Sequence, residues 1–288
     1  MAENIRRHTA THNHHYSFIM KMMSSLVTKG KVIILVEGGD DKPVYESLFI
    51  PSAVFIQPAP EENGARGCQF VESVTKDILA TKPAALLLGI RDADYTPWSS
   101  YVAPPNVFRT EERDMEMMLL RSTKVRQDLD IVKQGATAKF EWIKDNIGVP
   151  RGRMRLLNSV LDLQCNFSEN ARISNLWENN RLRQDWSTFI TSNFISNCVG
   201  QYCNRKFNAN DYNTEVSVRH LNNIAWYKIC QGHDVMHALI YELADSRFNV
   251  ENFMKQMIKS YRTSDFHATQ LYLQLHQFCL SKGWYILK

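Results

Sequence analysis

Two apolar runs in the first third of the chain each end in acidic residues. Residues 32–36 (VIILV) and 84–90 (AALLLGI) are apolar at successive positions, which is typical of strands buried on both faces of a parallel sheet. Two further strands and the helices between them are predicted at 53–56, 106–109, 42–49 and 68–79. This alternation of strands and helices predicts an α/β fold with a parallel sheet and right-handed crossovers.

The hydrophobic pattern becomes mainly helical from about residue 124 onwards. Helical spacing of apolar residues occurs at 137–146, 151–163, 186–198 and 235–243. An earlier helix is predicted over 110–120, with Thr110 as its N-cap. We therefore predict three regions, which are an N-terminal tail and helix at 1–27, an α/β core at 28–123 and a mainly helical region at 124–288.

Carboxylates follow both apolar runs, directly after the first and after Arg91 in the second. Glu37 follows the first run, and Asp92 and Asp94 follow the second. Because ligands of parallel sheets bind at the carboxyl ends of the strands, we expect these three side chains to form one site, with Asp92 and Asp94 pointing the same way if the chain stays extended. Such an oxygen-rich site suits Mg²⁺ or Mn²⁺. The alternative is a turn without chemistry, in which Asp40 or Asp41 only caps the next helix.

Several arginines are candidates for contacts with phosphate. Arg66 lies in a glycine-bearing loop before a predicted helix, where backbone N–H groups can bind an anion. Arg151, Arg153 and Arg155 alternate along the chain and could line a groove that follows a nucleic-acid backbone; the alternative is an ordinary solvated helix face. A metal site beside a basic lobe fits phosphodiester hydrolysis. The formal net charge of +4 permits a nucleic-acid partner without requiring one.

Glu116 and His233 are further site candidates. Glu116 lies next to the apolar stripe of the helix predicted over 110–120, so it should be more interior than its acidic neighbours. His233 lies at a turn before a predicted helix that Asp234 can cap. The alternative for His233 is a neighbour of a helix cap with no chemical role.

Composition excludes several other classes of protein. The six cysteines form neither a disulfide framework nor a zinc motif, which predicts reduced thiols in a cytoplasmic protein. The histidines of residues 8–15 lack acidic or cysteine partners, so we interpret them as part of a solvated tail. We expect no membrane association, since no apolar run is long enough to span a bilayer and the N-terminus lacks a signal-peptide pattern. The chain also has no P-loop motif.

The two strand-end motifs together resemble a known domain. In their order and spacing, Val36–Asp41 (VEGGDD) and Asp92–Asp94 (DAD) are similar to the TOPRIM domain of topoisomerases, bacterial primases and OLD-family nucleases. The spacing of Asp41 four residues after Glu37 resembles the OLD branch. With the later Arg113–Glu116 (RDME), the chain resembles stand-alone TOPRIM proteins that include the AriB effectors of the PARIS anti-phage defence system.

The resemblance implies a Rossmann-like TOPRIM core and a Mg²⁺-dependent endonuclease. It makes Glu37, Asp41, Asp92 and Asp94 catalytic, with Glu37, Asp92 and Asp94 as metal ligands. It further implies a toxic defence effector that is held inactive by a separate ABC-type ATPase of the same operon, is a homodimer when active, and has tRNA as its favoured substrate. Two alternatives stay open, an OLD-like DNA nuclease or nickase and a non-catalytic TOPRIM interaction module. A topoisomerase or primase would need further domains that do not fit in this length.

Overall fold

The computed structural model describes residues 16–25, 28–60, 67–95, 101–163, 209–243 and 249–288. The chain divides into two compact units. One unit ends at Glu111 and also contains Arg262–Lys288, and the other consists of Glu112–Tyr261. The division that we predicted after residue 123 therefore lies after Glu111, and residues 262–288 belong to the unit that contains the sheet.

The first unit contains a four-stranded parallel sheet. Its strands are β1 (Val32–Val36), β2 (Val54–Pro58), β3 (Leu87–Arg91) and β4 (Val107–Arg109), in the spatial order β2-β1-β3-β4. Helix α1 (Asp41–Leu48) connects β1 to β2, and α2 (Gly67–Thr81) connects β2 to β3. All residues of β1 and β3 are buried, which explains their continuous apolar sequences. The parallel α/β sheet predicted from the sequence is thus confirmed.

One face of the sheet packs on α2 through aliphatic side chains. Ile33 and Leu35 alternate along β1, so they lie on the same face. They share a core with Val71 and Val74 of α2 and with Leu87 of β3. This packing holds the N-terminus of α2 against the carboxyl ends of the strands, where the acidic residues lie.

The second unit is helical in its described residues. Its helices are α3 (Met115–Arg121), α4 (Thr123–Val132), α5 (Ala136–Ile143), α6 (Val149–Leu161), α7 (Ala209–Val218), α8 (Trp226–Ile229), α9 (Gly232–Leu243) and α10 (Val250–Ser260). A π-helical turn, Lys144–Gly148, joins α5 to α6, and a 3-10 turn, Leu221–Asn223, precedes α8. The helix predicted at 186–198 lies outside the described residues.

Helix α3 begins four residues later than its predicted N-cap implies. Its N-cap is Asp114, whose Oδ1 accepts the N–H of Met117 at 3.0 Å. Thr110, the predicted cap, instead accepts the N–H of Ala93 at 2.9 Å. The N–H of Arg113 donates to the carbonyl of Tyr227 at 2.8 Å, and this tertiary hydrogen bond replaces a helical one. The predicted start at Thr110 is therefore wrong.

The chain returns to the first unit through α11 (Thr263–His267) and α12 (Gln270–Lys282). Phe278 of α12 packs edge-on against Phe108 of β4, with ring centroids 5.1 Å apart. Leu287 forms an antiparallel bridge with Phe49, and Lys288 donates to the carbonyl of Ser47 at 2.7 Å. Within the described part of the chain, no helix has the length and apolar character needed to cross a membrane.

Candidate functional site

Three side chains that can bind a metal converge at the carboxyl edge of the sheet. Glu37 follows β1, Asp94 follows β3, and Cys68 lies in the first turn of α2. One ligand atom from each residue lies within 4.8 Å of the other two, and all three side chains are half-buried. The structure thus brings Glu37 and Asp94 together and adds a thiol that the sequence did not indicate.

Asp92 does not belong to this group of ligand atoms. Its backbone N–H donates to Oε1 of Glu37 at 3.0 Å, so it contributes to the site through the main chain. Asp94 has a φ of 49°, in the left-handed region, which means that the chain turns there. The chain is therefore not extended through Asp94, and the condition under which we expected Asp92 and Asp94 to point the same way is not met.

Asp41 shapes the turn that follows β1. Its Oδ2 accepts the N–H of Gly38 at 2.8 Å, which closes the loop beneath Glu37. Asp41 is also the first residue of α1, and Asp40 at the N-cap position makes no capping hydrogen bond through its side chain. The prediction that one of these aspartates caps α1 with its side chain is thus not met.

Arg91, the last residue of β3, links the carboxylates around the site. Its Nη2 lies 3.2 Å from Oδ2 of Asp94, and its Nε lies 3.6 Å from Oε1 of Glu37. Its Nη1 pairs with Glu72 of α2. Only 5% of the Arg91 side chain is exposed, and the Tyr101 ring lies 5.2 Å from the guanidinium. Sequence analysis missed Arg91 and Glu72, because their contacts depend on the packing of α2 against the end of β3.

The charges at the site are strongly perturbed by burial. Burial raises the pKa of Glu37 to about 7, although Arg91 opposes the rise. Burial alone would lower the pKa of Arg91, but its pairing with Glu72 and the charge of Glu37 outweigh this effect and raise it. Burial and the charge of Glu37 raise the pKa of Cys68. At neutral pH, the site therefore contains a charged guanidinium and an un-ionised thiol.

A glycine allows α2 to approach β1 closely. A Cβ atom built on Gly67 would overlap the carbonyl oxygen of Glu37 and lie 2.8 Å from the Glu37 Cα. Only glycine tolerates such an approach, and it places the following residue, Cys68, within the site. The available signal was the glycine-bearing loop before α2, which the sequence analysis associated with anion binding instead.

Glu116 and His233 lie together in the second unit. Oε1 of Glu116 is 2.9 Å from Nε2 of His233, with the carboxylate buried and the imidazole half-exposed. His237, one turn further along α9, has its ring nearly parallel to that of His233, with the centroids 6.1 Å apart. Buried Asp114 accepts the N–H of Gly232 at 2.8 Å. Two residues chosen separately from the sequence thus form one carboxylate–imidazole pair.

The two acids of this cluster have different pKa shifts. Burial raises the pKa of Asp114 to about 7, and the charge of Glu116 adds to the rise. Burial would also raise the pKa of Glu116, but the hydrogen bond and the charge of His233 lower it below its usual value. Glu116 is therefore ionised beside His233, and this arrangement can orient the imidazole for proton transfer.

The arginine triplet has mainly structural contacts. Arg151 is 1% exposed, and its Nε lies 2.8 Å from Oδ2 of Asp234. Arg155 reaches the same oxygen at 3.4 Å, whereas Arg153 is half-buried. A buried carboxylate requires a cation, so Arg151 is not available to a phosphate. Asp234 lies in the first turn of α9 and binds the arginines of α6, so it does not cap α9 as predicted. Arg66 lies outside the described residues.

Comparisons with known proteins do not assign a family. No protein-family model and no curated protein sequence matches this chain. The resemblance to TOPRIM domains therefore rests on the strand-end motifs of the sequence.

Proposed function

We propose that this chain is a metal-dependent endonuclease of the TOPRIM type, which hydrolyses phosphodiester bonds. The observation that carries the proposal is the convergence of Glu37, Cys68 and Asp94 at the carboxyl edge of the parallel sheet. Ligands of open α/β sheets bind in the crevice at this edge. The side chains of Glu37 and Asp94 are 19% and 42% exposed, which leaves them accessible to an ion and a substrate.

The donor atoms fit a hard divalent ion. Glu37 and Asp94 offer carboxylate oxygens, the ligands that Mg²⁺ and Mn²⁺ prefer. Cys68 adds a sulfur to the same group of atoms, and our proposal assigns the ion to the two carboxylates. We therefore propose Mg²⁺, with Mn²⁺ as a substitute. When bound, such an ion activates water and stabilises the negative charge that develops on the phosphate.

The residues of the chain itself would hold and orient the reacting groups. Glu37 and Asp94 would hold the ion, and the N–H of Asp92 keeps the Glu37 carboxylate in place. Asp41 stabilises the turn that carries Glu37. Arg91 ties Asp94 to the end of β3 and supplies a permanent positive charge beside the carboxylates. These roles separate the two ion-binding side chains from the residues that position them.

The biological role that we propose rests on the family resemblance. The chain would be the toxic effector of an anti-phage defence system, active as a homodimer, and a separate ABC-type ATPase would hold it inactive. We favour tRNA as the substrate. DNA is the alternative, because metal-dependent hydrolysis of this kind does not need the 2′-hydroxyl that distinguishes RNA.

The test is cleavage of bulk tRNA and plasmid DNA by the purified protein, with Mg²⁺, with Mn²⁺ and with chelator. We expect cleavage with either ion and none with chelator or in the variant Glu37→Gln. Glu46→Gln is the matched control, because Glu46 is an exposed carboxylate of α1 that pairs with Lys42. Cleavage that survives chelation, or full activity of Glu37→Gln, would overturn the proposal.

One observation favours a second candidate, a TOPRIM module that binds partners without catalysis. Arg91 already contacts Glu37, Glu72 and Asp94, so much of their negative charge is balanced without an ion. This candidate predicts that neither Mg²⁺ nor Mn²⁺ binds and that neither nucleic acid is cleaved. Observation of both results together would favour it over the nuclease.

A further inference from the structure

A cavity of about 310 Å³ lies between α5 and α9 in the second unit. It is lined by Ala138, Lys139 and Trp142 of α5 and by Glu242 of α9, so each helix supplies part of its wall. The volume is at the lower end of the range for small-molecule sites, about 300–1,000 Å³, which suits one ring system better than a peptide. None of these four residues belongs to the metal site proposed above.

The cavity offers an aromatic face to a ligand. The Trp142 side chain is 36% exposed, so its indole can be reached from solvent. Ala138 lies one turn before Trp142 on the same side of α5, and its methyl group leaves space that a larger side chain would occupy. An indole beside such a space is suited to stacking against a planar ring, as aromatic side chains do with nucleobases.

A hydrogen-bond donor and an acceptor lie side by side in the same cavity. Nζ of Lys139 donates to Oε2 of Glu242 and to the Glu242 carbonyl, both at 2.9 Å. These bonds hold the ammonium at the C-terminal end of α9, where helix carbonyls attract a cation. Of the two carboxylate oxygens of Glu242, only Oε2 accepts a hydrogen bond from a described residue. The two side chains are 39% and 29% exposed, so a ligand can reach both.

This arrangement matches the Watson–Crick edge of guanine. The N1–H and the N2 amino group of guanine are adjacent donors that together fit the two oxygens of one carboxylate, and the neighbouring O6 accepts from an ammonium. Adenine places an acceptor, N1, beside its single donor group, so it would bring a lone pair towards the carboxylate. Cytosine and uracil have a smaller ring to stack on the indole. Guanine therefore uses the aromatic face and both charged groups.

We infer that this cavity binds a guanine base, which stacks on Trp142 and is selected by Glu242. The inference goes beyond the proposed nuclease function, because neither a metal ion nor a residue of the first unit takes part in it. A free guanine nucleotide and a guanine of single-stranded RNA present the same base edge. The experiment therefore includes both sources.

Isothermal titration calorimetry of the full-length protein with GMP and IMP, in chelator, tests the inference. IMP lacks only the N2 amino group, so the wild type should bind it about tenfold or more weakly than GMP. Glu242→Gln replaces a carboxylate oxygen by an amide donor, so it should lose the preference for GMP. Ala138→Leu fills the cavity from an exposed position of α5 and should weaken GMP binding by about tenfold or more.

The controls establish the site and the source of the base. Gln277→Leu makes a similar change at an exposed position of α12 in the first unit, so it should bind both nucleotides as the wild type does. Circular dichroism establishes that each variant is folded. The trinucleotide 5′-UGU-3′ identifies the source. Tighter binding of the trinucleotide than of GMP would assign the site to RNA, and equal or weaker binding would assign it to a free nucleotide.

The outcomes that overturn the inference are independent of the nuclease proposal. Equal affinity of the wild type for GMP and IMP, no binding of GMP and of the trinucleotide, or unchanged GMP binding in folded Ala138→Leu would overturn the guanine site. Each of these results would leave the nuclease proposal standing, because the titrations contain no metal ion and measure binding instead of cleavage. A protein that prefers GMP to IMP but cleaves no nucleic acid would retain the guanine site and lose the nuclease function.

Discussion

At the scale of single residues, Glu37 has opposite effects on stability and on metal binding. Its burial raises its pKa to about 7 despite the attraction of Arg91, so the ionised carboxylate is costly in the ion-free protein. Its Oε1 also accepts the N–H of Asp92, a hydrogen bond that the amide oxygen of a glutamine can keep. Removing the charge therefore relieves a cost in the ion-free protein and removes a ligand from the ion-bound one.

We predict that Glu37→Gln unfolds at the wild-type temperature or higher in chelator, and that Mg²⁺ or Mn²⁺ stabilises only the wild type. An ion present at roughly 100 times its Kd would stabilise the folded wild type by about 2.7 kcal/mol. Scanning calorimetry with and without the ion measures both effects. Glu46→Gln should respond as the wild type does. An equal ion-dependent rise in Glu37→Gln would show that Glu37 is not a ligand.

Asp114 makes the stability of the second unit depend on pH. Burial raises its pKa from 3.8 to about 7, Glu116 adds to the rise and Arg113 opposes it. In the unfolded chain the group loses its proton near 3.8, whereas in the folded protein it keeps the proton up to about 7. The folded state binds more protons across this window, so stability falls as the pH rises through it. The pKa of Glu116 is lowered from its ordinary value of 4.5, so Glu116 stabilises the fold above pH 4.5. This stabilisation is lost only as the pH falls below that value.

Asp114→Asn should therefore lose less stability than the wild type between about pH 5 and about pH 8. The asparagine oxygen can still accept the N–H of Met117, which caps α3, but its NH2 group cannot accept the N–H of Gly232, so we expect a folded variant that is less stable than the wild type at both pH values. Urea unfolding at the two pH values measures the difference. Asp145→Asn, which removes an exposed carboxylate of the same unit, should behave as the wild type does. Equal losses in Asp114→Asn and the wild type would contradict a raised pKa for Asp114.

The sequence was sufficient to predict the two carboxylates of the site, but not the side chains that surround them. Glu37 and Asp94 follow continuous apolar strands, and the carboxyl ends of parallel strands meet at one edge, so their proximity could be inferred. The positions of Cys68, Glu72 and Arg91 depend on how closely α2 packs on the sheet. The hydrophobic pattern of α2 does not reveal its distance from the sheet, because a closely packed helix and a more distant one have the same apolar periodicity.

At the scale of elements, the strands were easier to predict than the start of α3. Burial on both faces gives β1 and β3 an unambiguous apolar run. The start of α3 is set by the hydrogen bond between Arg113 and Tyr227, residues far apart in the sequence. Thr110 is a good N-cap by residue type, but tertiary contacts in the fold override that preference.

The N-terminus of α2 provides a test of the close packing at the site. In Gly67→Ala, the new Cβ would overlap the Glu37 backbone, so α2 must shift and carry Cys68 and Glu72 away from β1. We expect a loss of stability of about 1–3 kcal/mol, as for other overpacked positions, together with weaker Mn²⁺ binding. Urea unfolding and Mn²⁺ titration measure the two effects. Lys76→Ala, at an exposed position of α2, should change neither, and wild-type behaviour of Gly67→Ala would contradict this packing.

At the scale of the whole molecule, the first unit is built from two separate parts of the chain. Helices α11 and α12 come after the second unit in sequence, yet Phe278 packs on Phe108 and Leu287 bridges to Phe49. Aromatic pairs of this kind stabilise a fold beyond the area that they bury. The sequence did not reveal this division, because the helical pattern of α12 looks like a continuation of the preceding helices.

We predict that a chain truncated after Tyr261 loses the ordered sheet but keeps the second unit. Hydrogen exchange should become fast in β4, which loses the packing of Phe278 on Phe108, and should stay slow in α3 and α9. Deletion of residues 286–288 alone removes the bridge to Phe49 and the hydrogen bonds of the last residues, but leaves α11 and α12 in place, and should give a smaller effect. Unchanged protection of β4 after the larger deletion would contradict the division into units.

The discontinuous first unit also imposes an order on events during synthesis. The second unit is complete once Tyr261 has left the ribosome, so it can fold while the first unit still lacks α11 and α12. Glu37 and Asp94 are translated early, but the unit that contains their sheet is completed only by residues 262–288. Under the toxic nuclease function that we propose, this delay would keep nascent chains inactive until translation has passed the inserted helical unit.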